Sequence, residues 1–208
     1  MNKRELTDQE KFWKGQFGSE YTERNSEMES WDLLQTLSIE IRSVKRPIAS
    51  VLELGANRGL NILALKQLLP SAEFSAVEIN ETAAEILKGT GANVVCQSLL
   101  DFKSRKKWDL VLIRGVLIHL NPEMLNLAYD VIAESSARYV LISEYYNPFP
   151  ATVDYRGENE RLFKRDFAGE FMEQHSQFEL QDYGFHYRNG AYFGDDQTWF
   201  LLENKKSF

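Results

Sequence analysis

Four residues share one short turn in "VLELGANRGLN" (51–61): Glu53, Gly55, Asn57 and Gly59. An acid followed by small residues at alternate positions suits a loop that holds a ligand against its backbone. Glycine takes the left-handed dihedrals that a pinched turn needs and lets the chain come close to a ligand. Where such a turn runs into a helix, its N–H groups point outward at that ligand. Three of the four positions of E/D-x-G-x-G-x-G, the spacing of an S-adenosylmethionine site, are met. Asn57 replaces one glycine, and Asn visits left-handed backbone more readily than most residues. The competing dinucleotide pattern G-x-G-x-x-G, started at Gly55, requires glycine where the chain has Asn57 and Leu60.

A second acid, Glu78, follows 19 positions past Gly59. Its two acceptor oxygens suit the paired hydroxyls of a ribose. The donor-side candidates are therefore Glu53, Gly55, Ala56, Asn57 and Gly59 in the turn, then Glu78 and Ile79. "QSLLDF" (97–102), with Ser98, Leu99 and Leu100, resembles the segment that class I methyltransferases place beside adenine, and "WDLVLIRGVLIH", with Arg114 and Gly115, resembles their strand-four motif facing the methionine end. Methyl transfer needs alignment and exclusion of water, and a hydroxyl acceptor also needs a base. Among three histidines, His119 is the candidate base or hydrogen bonder, although bonding to a loop carbonyl explains it equally well. Glu144, Tyr145, Tyr146 and Asn147 are candidates for an acceptor pocket, against a reading as edge cover and a turn. Tyr155, Arg156, Lys164 and Arg165 form a local basic group suited to an acidic acceptor, against a reading as a solvated helix face. Trp13, Tyr21, Arg24 and Asn25 are expected on a lid whose aromatics also have a plain packing reading. Arg24 is a candidate partner for the donor's carboxylate.

The elements that position these residues alternate. Strands are expected at 48–54, 73–79, 93–97, 108–118 and 138–143. Helices are expected at 58–69, 81–88, 121–136 and 161–176. Asn121 and Pro122 mark a helix start. The alternation implies parallel strands with right-handed crossovers, a Rossmann-like three-layer α/β/α sandwich. Two late strands, 178–187 and 196–204, imply an antiparallel edge on a mostly parallel seven-stranded sheet. One domain over 1–208 is expected, with a helical extension or lid (1–46) on a catalytic core (47–208).

"FWKGQFGSEYTERN", "VLELGANRGLNI", "GVLIHLNPE", "SEYYNPFPATVDYRG", "LFKRDFAGEF" and "DDQTWFLLE" together resemble the pseudaminic acid biosynthesis-associated methyltransferase family. The resemblance covers nearly the whole chain. It implies a class I fold, S-adenosylmethionine as methyl donor, and a link to nonulosonic acid sugars, without fixing the methyl acceptor. Alternatives in other classes are an NAD(P)-dependent oxidoreductase and a non-catalytic protein that binds the donor.

Composition narrows the partners. The 208 residues carry 24 Lys and Arg against 31 Asp and Glu, a net charge of −7. That balance argues against nucleic acid or an anionic membrane and for a small-molecule substrate. One cysteine, Cys96, excludes an internal disulfide, and no metal site is expected. The N-terminal residues lack the apolar core of a signal peptide, and a cytoplasmic protein is expected.

Overall fold

In the computed structural model, which describes residues 4–24, 30–155, 157–190 and 195–206, five strands run parallel. They are β1 (Ser50–Leu54), β2 (Glu73–Glu78), β3 (Asn93–Cys96), β4 (Trp108–Arg114) and β5 (Ser136–Glu144). β8 (Phe178–His186) and β9 (Gln197–Asn204) are antiparallel, and the sheet order is β3-β2-β1-β4-β5-β9-β8. β9 therefore lies inside the sheet and β8 forms its edge. The expected seven-stranded, Rossmann-like sandwich is the observed architecture.

Both faces of the sheet are covered, so its strands read as nearly continuous apolar runs. Along β4, Leu110 and Leu112 pack on one face with α3 (Ser30–Glu40) and α4 (Leu60–Leu68). Val111 and Ile113 face the other side, toward α6 (Leu125–Ser135) and α7 (Phe167–Gln174). All four are fully buried.

Two expected elements differ. The helix assigned to 161–176 begins only at Phe167, where Asp166 caps it by accepting from the Gly169 N–H at 2.9 Å. Residues 161–164 instead belong to β7 (Glu158–Lys164), paired antiparallel with β6 (Ala151–Tyr155). Burial of Leu162 and Phe163 on this hairpin outweighs the helical spacing of Arg161 and Arg165. The strand expected through 118 stops at Arg114. Gly115, at φ +65°, turns the chain into a short 3-10 turn at Leu117–His119.

Asn80 ties the N-terminal helices, α1 (Asp8–Lys14) and α2 (Gln16–Arg24), to the sheet. Its Oδ1 caps α5 (Glu81–Lys88) by accepting from the Ala83 N–H at 3.0 Å. Its Nδ2 donates to the carbonyls of Trp13 at 3.2 Å and Lys14 at 3.3 Å, which end α1 without partners of their own in the helix. Gly18 makes this approach possible, since a Cβ there would sit 1.9 Å from the Trp13 oxygen. Asn80→Ala is expected to cost roughly 0.5–2 kcal/mol by denaturant unfolding. It should also make residues 4–24 the first segment cut by protease; unchanged stability and cleavage would rule out this tie.

Candidate functional site

A cavity of about 850 Å³ opens at the carboxyl ends of β1, β2 and β4. Strand order reverses here between β1 and β4, where open α/β sheets bind ligands. The turn after β1 lines it with Gly55, Ala56 and Asn57. Gly55 (φ +77°), Asn57 (+47°) and Gly59 (+84°) are all left-handed, the conformation the spacing predicts. Gly55 also permits close packing, because a Cβ would lie 2.6 Å from Val116 Cγ2. Glu78 braces the turn: its Oε2 accepts from the Asn57 N–H at 2.7 Å and its Oε1 from the Asn80 N–H at 2.8 Å. Burial raises the Glu78 pKa, against these N–H bonds, which lower it. Each carboxyl oxygen keeps lone-pair capacity for a ligand hydroxyl. Ile79, Ser98 and Leu99 line the adjoining wall.

Three donor-side candidates stand behind the cavity surface. Glu53 is buried, with Oε1 accepting from Asn61 Nδ2 at 2.7 Å, and burial pushes its carboxyl up to about 8. It braces α4 as a largely neutral acid. Gly59 packs on Leu87, which a Cβ would meet at 2.5 Å. Leu100 belongs to the apolar core.

Arg114 lines the cavity at the end of β4. Its Nη1 donates to Glu40 Oε1 at 2.6 Å, and its side chain is 10% exposed. Arg24, expected at the donor's carboxylate, is instead 41% exposed, 3.8 Å from Glu20 on its own helix and stacked over Phe17. The i, i+4 spacing within α2 pairs it locally, away from the cavity lining. Asn25 lies outside the described residues.

The other wall is aromatic. The His119 ring packs against Trp13 (centroids 4.6 Å apart) and Tyr155 (4.9 Å), which also meet each other at 6.4 Å. Its Nδ1–H donates to the Arg161 carbonyl at 2.6 Å, which leaves Nε2 as the lone-pair nitrogen of the neutral ring. Burial lowers its pKa to about 4, against the Arg161 bond, so the ring is neutral near pH 7. The carbonyl that this histidine bonds belongs to strand β7 and not to a loop, and the ring still lines the cavity. Tyr21 and Tyr145 line it too, and the Tyr145 hydroxyl donates to Asp195 at 2.5 Å.

The remaining acceptor-side candidates separate. Glu144 is turned inward, its Oε1 accepting from the N–H groups of Val116 and Leu117, both at 2.9 Å. Burial pushes its carboxyl up to about 7, and it holds the turn that carries His119. Lys164 sits 5.4 Å over the Tyr145 ring, behind the cavity surface. Tyr146 packs beside Phe200, and Asn147 Nδ2 closes an exposed turn on the Phe149 carbonyl at 2.5 Å. Arg165 donates to Glu170 at 2.8 Å and anchors α7 rather than a ligand. Arg156 lies outside the described residues.

Sequence reasoning missed two groups. Gln9 and Glu10 line the cavity from α1. Glu10 is clasped by Arg4 (2.5 and 2.8 Å), by the Thr7 N–H (2.8 Å) and by Ser98 Oγ. Burial alone would raise its pKa, but these bonds outweigh it and lower it to about 2. The Thr7-x-x-Glu10 spacing of a capping box carried a signal for this helix start, though not for the contact with Ser98. Arg188 and Asp195 of the β8–β9 connection and Gln197 at the start of β9 reach the rim; the last two fall in "DDQTWFLLE", to which no site role was given.

Solved structures share this architecture. Magnesium protoporphyrin IX methyltransferase of Synechocystis PCC 6803 with bound SAH matches at TM-score 0.71 and 12% identity, over 95% of this chain and 100% of that one. The 1,6-didemethyltoxoflavin-N1-methyltransferase of Burkholderia thailandensis matches at 0.68 and 17%, over 91% and 85%. The plantazolicin methyltransferase BpumL matches at 0.63 and 14%, over 90% and 89%. The chain therefore has the fold of these S-adenosylmethionine-dependent methyltransferases. No protein-family model and no curated protein matches it. Among the described residues, no helix is long and apolar enough to cross a membrane.

The buried acids set a pH dependence. Glu53 and Glu144 hold protons in the folded state that the unfolded chain releases above about pH 4.5. Their contribution to stability is full below that value and falls as pH rises through about 7 and 8. Glu53→Gln keeps the acceptor for Asn61 and should flatten the fall in denaturation midpoint between about pH 5 and 8. An unaltered pH profile would show that Glu53 ionises normally.

Proposed function

We propose that the chain is an S-adenosylmethionine-dependent methyltransferase acting on a small polar acceptor. The observation that carries this reading is the cavity at the reversal of strand order, walled by a turn left-handed at Gly55, Asn57 and Gly59 and braced by Glu78. The residues present fit the donor. Glu78 has acceptor capacity for two ribose hydroxyls, and Ile79, Ser98 and Leu99 supply a wall for adenine. Gly115 leaves open space, with no atom other than those of its chain neighbours within 4 Å of a Cβ placed there. Arg114, rather than Arg24, is the cation assigned to the donor's carboxylate. Solved structures of similar fold hold S-adenosylmethionine or its product, which supports the choice of donor.

When bound, the donor supplies a methyl group activated by a positive sulfur. The chain's task is alignment and exclusion of water. Within a single domain, α1 and α2 of the N-terminal extension (1–46) act as the lid, with Trp13 and Tyr21 over the cavity, while α3 packs on the sheet of the catalytic core (47–208). His119 Nε2 accepts a hydrogen bond from the acceptor and orients it. With its pKa lowered to about 4, it is a weak base for an unactivated hydroxyl, since a general base works best near the operating pH.

For the acceptor, we favour a nonulosonic acid-type sugar or its precursor, in the cytoplasm. The motif resemblance supports this, as does the aromatic wall of Tyr145 and Tyr155. Titration calorimetry should show binding of S-adenosylhomocysteine and none of NAD. Binding of NAD alone would overturn the reading in favour of an oxidoreductase. Glu78→Ala should weaken S-adenosylhomocysteine roughly tenfold or more, through lost bonds to a charged group. With labelled methyl donor and candidate sugars, His119→Ala should lower turnover more than donor affinity. Product binding by the native chain without transfer to any candidate would point to a donor-binding module instead.

A further inference from the structure

We infer that Glu40 is a positioning residue that holds the Arg114 guanidinium ready for the carboxylate of the donor's amino-acid end. The inference rests on the methyltransferase reading and adds to it a residue that touches neither substrate nor donor. Glu40 is the last residue of α3, remote in sequence from every motif of the site, and its side chain is fully buried. One of its oxygens, Oε1, gathers donors from three strands. Arg114 Nη1 of β4 lies at 2.6 Å, His186 Nε2 of β8 at 3.0 Å and Ser143 Oγ of β5 at 3.4 Å.

This differs from an ordinary core ion pair because one partner lines the cavity. A guanidinium carries five N–H groups in a fixed fork, and the contact to Glu40 engages Nη1. A second carboxylate can therefore be met by the remaining donors without displacing the first. A long arginine side chain loses rotamer freedom when it binds, and one already held loses less. The charge balance points the same way. Glu53 and Glu144 also feel Arg114 electrostatically, yet burial keeps both carboxyls above their ordinary range. Glu40 is the carboxylate in direct contact with the guanidinium. The network continues to the rim: His186 pairs in register with Gln197, which lines the cavity and donates to the Ser143 carbonyl at 2.9 Å.

The test compares two ligands that differ only at the end Arg114 is assigned. S-adenosylhomocysteine carries the amino-acid carboxylate, and 5′-methylthioadenosine lacks it. By calorimetry, Glu40→Gln should bind S-adenosylhomocysteine about tenfold more weakly and 5′-methylthioadenosine as the native chain does. Glu40→Asp, with its carboxylate drawn back by one methylene, should show the same selective loss. Equal weakening of both ligands, or of neither, overturns the inference, because a purely structural carboxylate would not tell them apart. Loss of the cooperative thermal transition in both variants overturns it as well, since Glu40 would then serve the fold alone. If the native chain binds neither ligand, it is the methyltransferase reading itself that falls.

Discussion

A single carboxylate, that of Glu78, receives backbone N–H groups from both sides of the cavity wall. One comes from Asn57 in the turn after β1, the other from Asn80 at the start of α5. Few contacts constrain so much of this structure. The bond to Asn57 holds a non-glycine residue in left-handed backbone, which is costly without support. The bond to Asn80 fixes the residue whose amide then gathers the carbonyls at the end of α1. Turn, second strand and N-terminal helices are thereby referenced to one pair of oxygens.

The same region shows how a chain can bury several glutamates around one site. Glu10 remains charged because Arg4, Thr7 and Ser98 meet it. Glu40 shares an oxygen among three donors. Glu53 has one side-chain partner and Glu144 only backbone N–H groups, and burial lifts both toward neutrality. Desolvation decides the last two cases and hydrogen bonding the first. The result is a floor with little free negative charge, in which Arg114 is not overwhelmed by surrounding carboxylates.

Most of the architecture was legible because strand and helix periods alternate cleanly from Ser50 to Glu144. The turn was legible because glycines and an Asn at fixed spacing have few uses other than left-handed backbone. The β6–β7 hairpin was not, because "RLFKRDF" has helical spacing and only tertiary burial of Leu162 and Phe163 reveals the strand. Glu40 was invisible for a different reason. Nothing local distinguishes an acid at a helix end, and its partner lies 74 positions away. Arg24, a cation near the expected lid, has Glu20 of its own helix as a neighbour, which the sequence reading did not weigh.

The imidazole of His119 takes its tautomer from the main chain of residue 161, not from any side chain. Whatever amino acid occupies that position offers the same carbonyl. The outer surface of the hairpin can thus be rewritten, in charge or in bulk, while the other ring nitrogen keeps its electron pair. Such a division lets one scaffold exchange the molecules it admits without rebuilding the atom that greets them.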